Sequence, residues 1–141
     1  MWSDRYYYYN LYKNIELGES LATKDVMDVL KARTELLMDG NAFRNARHFP
    51  IITLSTIKAR TLHSWSDDDF NDDRTTLIAV VAEKGTTQND EKIKMLLIGI
   101  AASLKWQLTE EHSDDGIENH VVWSPHGSKN DQESISGAKK K

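Results

Sequence analysis

Thr75–Lys84 reads TTLIAVVAEK, and its apolar pattern is the strongest architectural signal in the chain. In an extended chain Leu77, Ala79 and Val81 face one side and Ile78, Val80 and Ala82 the other, so both faces are apolar. Such a strand is covered on both sides and lies inside a sheet. The segment from Ile51 to about Trp65, rich in Ile, Thr and Leu, predicts a partner strand. Between the two, Ser66–Asp73 packs five carboxylates into eight residues and reverses the chain.

Downstream, Gly85 ends the strand, and Asn89 or Asp90 opens a helix running to about Glu111. Its main apolar row is Ile93, Leu97, Ile100, Leu104 and Leu108, and a second row of Met95, Ile98, Ala102 and Trp106 widens the stripe. The apolar surface of residues 93–108 exceeds what one small sheet covers, and the surplus suits a homodimer contact. Gly99, in mid-helix, costs about 1 kcal/mol relative to Ala and predicts the close approach of a neighbouring backbone. Asn119–Trp123 is a short strand, and Pro125 closes the fold.

Upstream, Ser3 caps a first helix carrying Tyr6, Tyr9, Leu11 and Tyr12 and ended by Gly18; the alternative for Arg5–Tyr12, from the strand propensity of four tyrosines, is an edge strand. Thr23 is the N-cap of a second helix with Val26, Val29, Leu30, Arg33, Leu36 and Leu37 at helical spacing, stopped by Gly40. Asn41–Phe49 adds a further turn before Pro50. The order is helix, helix, strand, strand, helix, strand. It predicts an α+β fold in which a small, largely antiparallel sheet of three to four strands is covered by helices. Residues 1–124 form one domain, and 125–141 read as a flexible polar tail.

Composition narrows the function. The 141 residues carry 39% hydrophobic and 28% charged side chains, which suits a single globular domain. The sequence contains no Cys, so disulfides, thiolate metal sites and a cysteine nucleophile are excluded together. No apolar run approaches the roughly 20 residues of a membrane span, and no signal-peptide core is present, so the expected setting is cytoplasmic, without a membrane partner. The net charge of −4 is unevenly spread. Residues 1–65 hold nine basic against seven acidic side chains, residues 66–124 five against thirteen, and residues 125–141 four against two. The acidic middle repels nucleic acid and attracts a basic partner.

Catalytic and metal readings fare poorly. Asp67, Asp69, Asn71 and Asp73 alternate as in a calcium loop, but Asp72 stands where that loop needs its turn glycine and Ile78 where it needs its bidentate glutamate. An acidic hairpin tip outweighs a cation site. A nuclease-like set of Asp73, Glu83 and Lys84 fails because adjacent residues of a strand point to opposite faces. Arg44 and His48 share a helical spacing suited to acid–base RNA cleavage, yet basic residues at a helix end explain the pattern more simply. His63, His112, His120 and His126 lack zinc-site spacing, and Ser124-Pro125-His126 lacks an orienting third group. No cofactor motif occurs.

These readings favour a non-enzymatic protein-interaction domain of the adaptor, inhibitor, immunity or viral accessory type. Its partner-binding set is Asp67, Asp68, Asp69, Asp72 and Asp73 together with Tyr6 and Tyr9, and its partners are a protein with a basic surface and a second copy of the chain. The alternative is a nucleic-acid-binding or metal-dependent nucleic-acid-processing protein using Arg44, Arg47, His48, Lys58 and Arg60.

Overall fold

The structure is a computed structural model describing residues 5–14, 17–62, 65–66, 69–112 and 118–125. The double-faced apolar segment becomes β7 (Leu77–Glu83), the middle strand of a seven-stranded antiparallel sheet. The other strands are β1 (Tyr6–Tyr12), β3 (Leu36–Asp39), β4 (Ala42–Asn45), β5 (Ile52–Ile57), β8 (Gln107–His112) and β9 (Glu118–Trp123), in the order β3-β4-β5-β7-β1-β8-β9. Two short strands, β2 (Leu21–Ala22) and β6 (Arg74–Thr75), pair separately. Among the described residues there are two helices, α1 (Thr23–Lys31) and α2 (Thr87–Leu104). The expected sheet of three to four strands covered by helices is therefore incorrect: the described fold is mostly sheet.

Four local choices account for the difference. The tyrosine run is a strand, and an interior one, since β1 pairs with β7 on one side and β8 on the other. Aromatic side chains fit a pleated, packed surface, and here that preference prevails. Thr23 is the first residue of α1 and not its cap; its hydroxyl bonds the Asn71 carbonyl at 2.7 Å and the Thr75 hydroxyl at 2.7 Å. α1 ends at Lys31, well before Gly40. Gly40, at φ 64°, instead opens the two-residue loop between β3 and β4, with Asp39 opposite Ala42 across the hairpin. A glycine in that position relieves the backbone of a positive φ. The further turn expected over 41–49 is replaced by β4.

α2 starts where its cap dictates: the Thr86 hydroxyl accepts from the Asn89 N–H at 3.1 Å. It stops at Leu104, short of Glu111, because Lys105 turns left-handed at φ 60°. Trp106 N–H then reaches the Ala101 carbonyl at 3.0 Å, and Lys105 N–H the Ala102 carbonyl at 3.3 Å, satisfying carbonyls the helix leaves open. Trp106 and Leu108 are buried from the following turn and strand, not from the helix. The close neighbour of Gly99 is the Arg33 guanidinium and not a backbone.

Strand alternation sorts the core. Tyr9, Leu11, Phe43, Ile52, Leu54, Ile78, Val80 and Leu108 face the helices, where they meet Val26 and Leu30 of α1 and Ile93, Leu97 and Ile100 of α2. Packing against the chain's own sheet takes up the apolar surplus expected on residues 93–108; of the large apolar side chains of α2, Met95 stays exposed, at 66%. On the opposite face a smaller cluster joins Tyr12, Ile57 and Leu77 to Leu17, Ala59 and Leu62, with Trp65 at its edge. This second cluster covers one end of the sheet. The rest of that face has neither helix.

Candidate interaction surface

Register fixes what the uncovered face presents. Tyr8 lies opposite Val81, Val81 opposite Thr53, Thr53 opposite Arg44, and Arg44 opposite Leu37. This row crosses five strands, about 19 Å at the usual strand spacing. Val81 is 38% exposed and Leu37 47%, although Val81 belongs to the middle strand of the sheet. Val121, 44% exposed, joins the same face through its pairing with Thr109, and Ile51 borders it just before β5. Tyr6 stands one pleat beyond Tyr8, opposite Glu83. Of the six exposed large apolar residues among those described, three lie on this face and a fourth borders it, so the exposure is concentrated.

Arg44 Nε lies 3.8 Å from Asp39 Oδ2, a solvated contact of little energetic weight. At the covered end the acidic loop is held by its own backbone. Ser66 N–H donates to Asp69 Oδ2 at 2.8 Å, and the Asp69 carbonyl accepts from Lys58 N–H at 2.9 Å. Asn71 Oδ1 accepts from both Asp73 N–H at 2.9 Å and Arg74 N–H at 2.8 Å. The Asp73 carbonyl accepts from Thr23 N–H at 3.0 Å, fastening the loop to the start of α1. Asp69, Asp72 and Asp73 are exposed, while Asp67 and Asp68 lie outside the described residues.

The alternating-carboxylate reading meets this geometry directly. The Asp69 and Asn71 oxygens accept local backbone N–H groups, and among the described residues no three His, Cys, Asp or Glu side chains converge. Such an arrangement makes turns, the ordinary use of these side chains.

The remaining expected site residues scatter. Tyr6 is on the uncovered face, but Tyr9 points to the helices and is 2% exposed, so the two cannot serve one surface. Arg44 is on the uncovered face near the start of β5, and Arg47 and His48 follow β4. Lys58 and Arg60 follow the other end of β5, about 16 Å from Thr53 along the strand. These five do not form one patch. Asp73 and Glu83 stand beyond and at opposite ends of β7, and Lys84 Nζ lies 4.9 Å over the Tyr7 ring on the helix side. Ser124 is half-buried and His120 exposed, while His63 and His126 lie outside the described residues, as does the expected tail from 126 to 141.

The uncovered row escaped the sequence because four identical tyrosines carry no alternation to read. The Gly40-Asn41 loop was its available signal: it places Leu37 and Arg44 in register. Among the described residues no helix is long and apolar enough to cross a membrane. Comparison with family models, with curated proteins and with solved structures finds no match for this chain.

Proposed function

We propose that this chain is a non-enzymatic protein-interaction domain whose partner docks on the uncovered face of the sheet. The observation that carries the reading is the Tyr8-Val81-Thr53-Arg44-Leu37 row, with exposed aliphatic side chains in the interior of a sheet. Aliphatic, tyrosine and arginine side chains at the centre with carboxylates at the rim match the anatomy of a protein interface. Asp69, Asp72 and Asp73, at the far end of the sheet, act at longer range, where their charge favours a partner with a basic surface and speeds its approach. A cytoplasmic setting suits the cysteine-free sequence. The nucleic-acid reading has weaker support, since Arg44 lies beside Asp39 and the other basic candidates are dispersed.

The test is capture from a lysate of the source cells, using wild type, Val81→Glu and, as a helix-side control on α1, Lys24→Ala. Loss of the captured protein in Val81→Glu alone, with an unchanged melting temperature, is the expected result. The same captured set with all three baits, or capture of nucleic acid in place of protein, overturns the proposal.

A further inference from the structure

On the helix side, away from the uncovered sheet face, α2 borders a cleft of about 710 Å³. Its volume falls within the range of small-ligand sites, roughly 300–1,000 Å³. The far wall is the turn after α1 and the β4–β5 connection, which bring in Arg33, Glu35, His48 and Phe49. Along α2 the lining residues are Gln88, Glu91, Lys92, Met95 and Leu96, one face of the helix.

Arg33 is the unusual member. It is half-buried, and among the described residues its side chain makes no ion pair or hydrogen bond. Glu35 and Glu91 line the same cleft without pairing with it. Its guanidinium lies against Gly99, where an added Cβ would overlap Nη2 and press on the rest of the group. Glycine inside a helix costs about 1 kcal/mol relative to alanine, so the sequence accepts a weaker helix at the one point that seats this charge. A guanidinium laid on a helix backbone is held in orientation, which suits two parallel hydrogen bonds to a carboxylate.

The cleft also orders its chemistry along the helix. Met95 and Leu96, with Phe49 across from them, put an apolar section next to the Arg33 end. Glu91 and Lys92 lie a further turn away, about 12 Å from Gly99 in the case of Glu91. We infer that this cleft binds a carboxylate carried on an apolar chain, with Arg33 gripping the carboxylate and Met95, Leu96 and Phe49 holding the chain. A peptide C-terminus and a free aliphatic acid share this chemistry.

Isothermal titration of the full chain separates the two sources, with three probes: N-acetyl-Ala-Leu-Leu bearing a free carboxylate, the same peptide as its amide, and octanoate. Saturable binding of the peptide acid or of octanoate is expected, with at least a tenfold loss in Arg33→Gln. Saturation by the peptide acid identifies a chain terminus, and saturation by octanoate alone a free acid; either upholds the inference. Gly99→Ala keeps the arginine but pushes it off its seat. It should show the same loss, and it decides the matter if Arg33→Gln does not fold. Failure of both carboxylates to saturate at millimolar concentration overturns the inference. So does equal binding of the peptide acid and its amide, or wild-type affinity in the variants that fold.

Discussion

Tyr8 on β1 stands directly opposite Val81 on β7, on the face of the sheet that neither helix covers. Three residues before Val81 in the same strand, Ile78 points the other way and is fully buried beneath the helices. The two positions therefore differ in burial although both look like core in the sequence. Ile78→Ala should cost about 2–5 kcal/mol, as large-to-small core changes do. Val81→Thr should stay within about 0.5 kcal/mol, as surface changes do. Urea denaturation of both variants checks the assignment, and equal losses would contradict it.

Lys105 adopts a left-handed backbone at φ 60° to close α2. That conformation costs a side-chain-bearing residue about 1–2 kcal/mol, whereas glycine adopts it freely. Lys105→Gly should raise stability by about 1 kcal/mol, seen as a higher denaturation midpoint with an unchanged slope. A lowered midpoint would show that the lysine side chain stabilises the turn.

In the acidic loop the structural role belongs to the amide and not to its charged neighbours. Asn71 Oδ1 accepts two backbone N–H groups, while Asp72 is exposed. Asn71→Ala should cost about 1–2 kcal/mol, since it strips two donors of their acceptor. Asp72→Asn should leave the melting temperature unchanged or slightly raised, because it relieves repulsion among the carboxylates. Millimolar calcium should not move the melting temperature of the wild type. A calcium-dependent rise would reveal a bound ion, since a ligand of the folded state stabilises it by mass action.

Burial raises the Tyr12 phenol above its ordinary value of 10.0, outweighing the Thr109 hydroxyl, which acts in the opposite direction. The folded protein thus holds this proton more tightly than the unfolded chain. Its contribution to stability is complete below about pH 10, the unfolded tyrosine value, and is lost as pH rises beyond it. Tyr12→Phe should lose less stability than wild type between neutral and strongly alkaline pH. Parallel stability curves for the two proteins would contradict the burial of this group.

Legibility followed the information each segment carried. β7 could be read because its apolar residues alternate onto both faces, a pattern with few other uses. The end of α2 could not, because Leu108 continues the i, i+4 row of Ile100 and Leu104 while lying on β8. The break between them is a left-handed turn made by lysine, where a sequence ordinarily signals with glycine. β3 and β4 hid behind apolar residues that also fit a helix, although Gly40-Asn41 marks their hairpin. For the candidate surface, the exposed acidic residues were evident from composition alone. The exposed row was not, because it exists only once register joins residues from five strands.

Photo-crosslinking reads out the face on which a partner sits. Thr53 is exposed in the middle of the row and Lys24 is exposed on α1, on the helix side, so a benzophenone side chain at either position reports on one face alone. On irradiation in the source cells, position 53 should give a protein adduct, with a second copy of the chain counting as a partner, and position 24 should not give that adduct. Adducts from position 24 alone, or nucleic acid at position 53, would contradict the reading.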